Sequence, residues 1–347
     1  MAPAVRNAFR LTVLNPRGRD VEQEFPDGAG EVGAGHQPTN FHAYAACTGG
    51  SFQRDTRNAI AKATPVLLLL RGDFVASEAA FSALKAAGKL VAVSLKETGL
   101  HQIAEQLEDA RKMARWQRLL RAADGCIAST PEAADVYRAV RGADDRVAYI
   151  PTPYPIADAR WNFSRPQKSR RGIFIGTREW DVHSRNHAAT IFLARQISAE
   201  TGEPITVYNF DGRKAARLIS GVGIPAEKLR VLDGEVPYAE YLRELATHRI
   251  VLQLDTSFVP GQVAGDALLC RVPCVGGNGA IERIAFPNFC GGTRSIEEIR
   301  QLALRLLNDR EFYRATIEQA EAAAKRDLSF EVVAPQLEDF FASIASK

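Results

Sequence analysis

Short apolar runs alternate with stretches of helical period along most of the chain, as expected of an α/β fold in which strands and helices take turns. In the first half, the runs at 11–15, 66–70, 90–95, 125–128 and 147–150 read as parallel strands. Between the second and third of these, Ser77 stands where a helix N-cap belongs. Ala80, Phe81 and Leu84 then form an apolar face, and Gly88 supplies the stop. Thr130 and Pro131 repeat the logic as cap and first helical residue, predicting a helix through Val136 and Val140 that ends at Gly142. Pro151, Pro153 and Pro155 then impose extended chain and forbid helix. This places a boundary between an N-terminal domain, 1–155, and a C-terminal domain, 156–330. From Arg171 the alternation restarts, with strands at 172–175, 205–208, 250–254 and 274–276 and helices at 186–200 and 265–270. Beyond Ser295 the pattern is all helical, at 296–307, 310–325 and 330–345, and the closing segment 331–347 is expected to pack back toward the N-terminal domain. Two Rossmann-like, doubly wound domains facing a cleft would bind ligands at the carboxyl ends of their strands. The post-strand loops are therefore where function is expected.

A length of 347 residues exceeds what one core usually supports and agrees with two domains. The 44 basic and 41 acidic residues leave a formal charge of +3, too mild a bias to favour a nucleic-acid partner. Met1 to Arg10 lacks the apolar core of a secretory signal, and the longest apolar run, 65–70, is too short to span a bilayer, so a cytoplasmic protein is expected. Cys47, Cys126, Cys270, Cys274 and Cys290 lack the paired spacing of a zinc site and are expected to be buried, reduced thiols.

The chemistry is expected first in the loop from Asp255 to Asp266, which carries Gly261 and Gly265 and feeds a helix. Exposed amides at a helix N-terminus suit an anion, and glycine lets the backbone approach it. Gly261, then Asp266 and Ala267, then Pro273 and Val275 resemble the signature of the retaining GT-B glycosyltransferases, the group 1 or family 4-like enzymes. The stretches 231–236, Tyr241-Leu242 and 248–254, and the trailing acid Glu282, extend that resemblance from about Arg171 to the C-terminus. Over 123–128 and 149–153 it is weaker. The resemblance implies a GT-B fold and transfer of a sugar from a nucleotide-diphosphate donor with retention, without metal and with no cofactor beyond the donor substrate. In that family the first of two acids contacts the transferred sugar and the second holds the donor ribose. Asp266 occupies the second position and Phe258 the first, which leaves the sugar contact to Asp255 or to a backbone group. Gly261, Gln262 and Val263 would complete the donor cradle. By the same resemblance Arg178 and Arg185 neutralise the diphosphate, with His183 as a substitute for one of them. Guanidinium groups fixed there stabilise the leaving diphosphate more than the ground state. Asn209, Phe210 and Gly212, and the loop 234–238, are the expected neighbours of the base.

On the N-terminal side Lys96 and Glu97 follow a strand. Glu97 would be the general base if the reaction inverts configuration; under retention the leaving diphosphate takes the acceptor proton. His101 lies beside them. His36, His42 and Thr48 to Gly50 belong to the segment 27–50, read as an acceptor loop and the helix after it. Arg111, Lys112, Arg115 and Arg118 recur at helical spacing beside Trp116, either to meet anionic lipid at a membrane surface or as a solvated face. The acceptor itself is left open among a glycan, a lipid-linked molecule and a small molecule. Asp144-Asp145 lacks the context of a metal-binding pair. The chain contains no Gly-x-Ser-x-Gly elbow and no Gly-x-Gly-x-x-Gly turn after its first strand, which argues against a serine hydrolase and a dehydrogenase. The alternatives are a non-catalytic GT-B homologue that binds a nucleotide or glycan as a partner protein, and a sugar-nucleotide epimerase or hydrolase of the same architecture.

Overall fold

The computed structural model of the chain describes residues 9–33, 35, 37–142, 145–176, 178–210 and 212–346, with the backbone alone for Arg213 and Lys214. It divides into two compact units. One runs to Ala157 and resumes at Leu328, and the other spans Asp158–Asp327.

The N-terminal unit begins β1 (Thr12–Leu14), β2 (Gln23–Glu24), α1 (Asn40–Cys47), β3 (Ser51–Gln53), α2 (Thr56–Ala61), β4 (Val66–Leu70), α3 (Val75–Ala86) and β5 (Val91–Leu95). It continues α4 (Leu100–Leu107), α5 (Ala110–Ala122), β6 (Gly125–Ala128), α6 (Pro131–Arg141) and β7 (Val147–Tyr149). Its sheet has the order β2-β3-β1-β4-β5-β6-β7 and is parallel except where the edge strand β2 meets β3. The strands β4 and β5 are buried along their whole length, which is why they read as unbroken apolar runs. Thr130 caps α6 by accepting from the Ala133 amide, and Gly142 ends it in the left-handed region. Ser77 is not a cap, because α3 starts two residues earlier behind Phe74 and the Ser77 hydroxyl donates to the Leu69 carbonyl at 3.0 Å. The segment 27–50 contains α1, in keeping with its reading as a loop and the helix after it. That helix is buried on nearly every side, from Phe41 to Ala46, so it shows no amphipathic period to announce it.

The C-terminal unit runs β8 (Ile173–Ile175), α7 (His187–Thr201), β9 (Ile205–Asn209), α8 (Arg213–Gly221), β10 (Leu229–Asp233) and α9 (Tyr238–Leu245). It closes with β11 (Ile250–Leu252), α10 (Gln262–Leu269), β12 (Cys274–Val275), α11 (Ala280–Ala285), α12 (Ile296–Asn308) and α13 (Arg310–Asp327). Its sheet, β10-β9-β8-β11-β12, is parallel throughout. From β8 the chain winds outward through β9 and β10, then returns to the other side of β8 for β11 and β12. The switch point of the sheet lies between β8 and β11, where open α/β sheets place their ligands. Helix α14 (Phe330–Ala345) returns to the N-terminal unit and packs on α1, and Tyr154 of that unit donates its amide to the Leu328 carbonyl at 2.8 Å.

Candidate functional site

The loops that follow β8 and β11 are stitched together across the switch point. The Thr256 amide donates to the Ser184 carbonyl at 2.8 Å, the hydroxyls of Ser184 and Ser257 meet at 2.8 Å, and Asn186 Nδ2 donates to the Leu254 carbonyl at 2.9 Å. Arg185 lies in this seam with its guanidinium paired to both Asp255 and Glu179. Asp255 is buried and also accepts from the Ser257 amide. Two expectations meet this arrangement: Arg185 is not a free cation, and Asp255, expected as a sugar contact in place of Phe258, is the internal counter-ion of Arg185.

Arg178 is placed differently. Its guanidinium carbon lies 5.6 Å from the ring centroids of Tyr208 and Tyr241 and 5.7 Å from that of Phe210, a cation held against aromatic faces. Among the described residues it makes no ion pair. Phe210 is 39% exposed, at the carboxyl end of β9. Its neighbour Asn209 is buried instead, with Nδ2 donating to the Gly212 carbonyl and to Asp233 and Oδ1 without a hydrogen-bond partner among the described residues.

Asp266 belongs to the same cluster. Helix α10 begins at Gln262, three residues earlier than its pattern suggests, so Asp266 falls in the second turn and is 1% exposed. The Tyr238 hydroxyl donates to its Oδ1, while Oδ2 is buried with no hydrogen-bond partner among the described residues. Burial pushes its pKa up to about 7, against the opposing pull of Arg178 and of the Tyr238 and Tyr241 hydroxyls. The expected open acceptor for a ribose diol is therefore a sealed carboxyl that supports Tyr238 and balances Arg178. Tyr208, Tyr238 and Tyr241 are the residues that sequence reasoning missed as a group. Tyr238 and Tyr241 stand three residues apart on α9, and only the fold brings Tyr208 of β9 to them.

The N-terminus of α10 is the remaining feature expected to hold the donor. Gly261 caps it at φ 94°, and Gln262 and Val263 are partly exposed in its first turn. Orphan amides at such an end form an anion site. Phe258 precedes it at φ 51°, donating its amide to Asn278 Oδ1 at 2.9 Å, with the Arg283 guanidinium 5.5 Å from its ring centroid.

In the N-terminal unit, His42 is not a ligand-facing residue. It is buried, stacked on Phe52 with ring centroids 3.6 Å apart, and its Nε2 lies 3.0 Å from the Val21 carbonyl oxygen. Lys96 follows β5 with its ammonium 3.8 Å from both Asp20 and Glu97, and Glu97 is exposed. His101, in the first turn of α4, buries both ring nitrogens without a hydrogen-bond partner among the described residues. On α5, Arg115 and Arg118 reach Glu78 at 2.9 and 3.1 Å, so half of the basic face is paired within the protein. His36, Thr177 and Asp144 lie outside the described residues. Among the described residues no helix is long and apolar enough to cross a membrane.

Two Rossmann-like units, each a doubly wound parallel sheet flanked by helices, together with the helix that returns from the second to the first, constitute the GT-B fold. No family model matches the sequence, and no curated protein matches it. Among solved structures, the chain is similar to Anabaena HepE in complex with UDP and glucose, at 11% identity and a TM-score of 0.65 over 96% of this chain and 100% of that one. It is also similar to a UDP-forming trehalose-phosphate synthase from Burkholderia xenovorans, at 10% identity and a TM-score of 0.64 over 88% and 78%. A Listeria monocytogenes protein named for UDP-N-acetylglucosamine 2-epimerase activity shares the architecture at 16% identity and a TM-score of 0.53 over 85% and 83%. Likeness at these identities establishes the fold. The activity has to be argued from the site.

Proposed function

We propose that this protein is a glycosyltransferase that takes a sugar from a nucleotide-diphosphate donor bound on its C-terminal unit. The observation that carries the reading is Arg178, a partly exposed guanidinium without an ion pair among the described residues, held over three aromatic rings at the carboxyl edge of the sheet. A cation in that place is ready for a diphosphate, and the α10 N-terminus offers amides to the same kind of anion. Neighbours of the same fold crystallised with UDP support a uridine nucleotide as the first donor to test. As the glycosidic bond breaks, charge accumulates on the leaving diphosphate, and Arg178 stabilises it without metal. The reaction retains configuration, with the leaving diphosphate taking the proton of the acceptor hydroxyl. The acceptor, a glycan, lipid-linked or small molecule, is assigned to the post-strand loops of the N-terminal unit that bear Lys96 and Glu97. The protein works in the cytoplasm or against the inner face of its membrane.

Calorimetry against UDP, GDP, ADP, TDP and their common sugar conjugates tests the donor site. One nucleotide should bind selectively, and Arg178→Ala should weaken it about tenfold or more, the scale of a lost charge-assisted hydrogen bond. Undiminished affinity in that variant would remove the assignment. A second reading is favoured by Phe258, which puts an apolar ring where the resembled enzymes carry an acid. A non-catalytic homologue would bind the nucleotide sugar in this assay yet never release nucleoside diphosphate, with or without acceptor.

A further inference from the structure

Beneath the α10 N-terminus lies an acid that the donor reading does not use. Glu282, in the first turn of α11, is 1% exposed. Its Oε1 accepts from Gln253 Nε2 at 2.5 Å, and its Oε2 is buried with no partner among the described residues. A side chain at either Gly261 or Gly279 would collide with that Oε2, so both glycine backbones are packed onto the carboxyl group. The amides of Ala280 and Ile281 donate to the carbonyls of Val259 and Pro260 at 2.9 and 3.1 Å, fastening the start of α11 to the turn that launches α10. Glu282 therefore fills the space under the turn whose amides face the proposed anion.

Its surroundings oppose a charge. The nearby ionic groups are Asp255 and Arg185, and Arg185 is already shared by Asp255 and Glu179. An ionised Glu282 would be a third carboxylate around one guanidinium, with only the Gln253 side chain and its own backbone amide to solvate it. The remaining titratable group against it, the Cys274 thiol on β12, has its pKa raised by burial and stays neutral.

On the premise of the donor site above, we propose that Glu282 is a positioning residue of that site: uncharged, it shapes the Gly261 turn to receive the donor diphosphate, and its ionisation weakens donor binding. Burial, reinforced by Asp255, pushes its pKa up to about 7, so the change falls within an accessible range. Only the protonated form is competent in this scheme, so apparent affinity should follow its fraction, which falls about tenfold between pH 6 and pH 8.

The test is the dissociation constant of the nucleoside diphosphate that binds the wild-type protein best, measured at pH 6, 7 and 8 for wild type and Glu282→Gln. The amide keeps the shape and cannot ionise, so at pH 8 the variant should bind about tenfold more tightly than wild type, while at pH 6 the two should bind alike. Ionisation of the nucleotide's own phosphate is common to both proteins and cancels in the comparison. Parallel pH profiles in the two proteins would overturn the role of Glu282 and leave the donor site standing. If wild type bound no nucleoside diphosphate at any of these pH values, the donor reading itself would fall, and the proposal with it. A Glu282→Gln protein that stays folded but has lost binding at every pH would also overturn it, by showing that the carboxyl acts as a direct contact and not through the turn.

Discussion

At the scale of the residue, conformation and environment decide what a side chain type cannot. Gly261 is the clearest instance, because its φ of 94° disfavours every L-residue and a Cβ there would strike Glu282. Gly261→Ala should lower stability by roughly 1–3 kcal/mol, combining left-handed strain with overpacking. It should also weaken nucleotide binding, since the α10 amides must shift to make room. Urea denaturation and calorimetry on one preparation check both parts; wild-type values in each would show that the turn yields freely. The same glycine is legible in the sequence as part of a loop that feeds a helix, and Arg178 is legible from its place after a strand. Asp266, Asp255 and His42 are legible only as types. Nothing in a run of letters says that Tyr238 covers one carboxyl, that Arg185 engages another, or that Phe52 stacks on the imidazole.

At the scale of the element, a helix and a strand meet where one of them gives up its side chain. Gly125 opens β6, and a Cβ there would come within 2.6 Å of Phe340 Cζ and 3.2 Å of Ile344 Cδ1 on α14. The closing helix is thus seated on the sheet of the N-terminal unit through a glycine. Gly125→Ala should push α14 outward and cost about 1–3 kcal/mol, seen as a lower denaturation midpoint at unchanged slope. An unaltered midpoint would mean that α14 slides without penalty. Elements buried on all sides or strongly periodic, such as β4, β5 and α12, are legible because burial leaves a mark in composition. The short strands β2 and β3 are not, and the bounds of the enveloped helix α1 are blurred. Two- and three-residue strands carry too few positions for a period, and α1 hides its apolar face among apolar neighbours.

At the scale of the whole molecule, the buried acids of the C-terminal unit tie stability to pH. Asp266 and Glu282 each have a pKa of about 7 in the folded protein, against 3.8 and 4.5 for the free groups. Between the lower and upper values the folded state binds more protons than the unfolded state. The stability these groups contribute is therefore complete below the free-group pKa values and is lost as pH rises through 7. Other groups act in the opposite sense. Burial lowers the pKa of His187 and of His248 below 6.5, which favours folding as pH rises toward that value. Glu297, held down to about 2 by Arg300 and Gln301, loses its contribution only in stronger acid. The total pH profile mixes these signs, so the informative quantity is the difference between wild type and the double variant Asp266→Asn, Glu282→Gln, which keeps both histidines. From pH 5 to pH 8 wild type should lose on the order of a few kcal/mol relative to that variant, measured by urea denaturation. A constant difference across the range would mean that water or a counter-ion reaches both carboxyls. They would then be ordinary acids, and the electrostatic closure of the unit around Arg178 and Arg185 would have to be drawn differently.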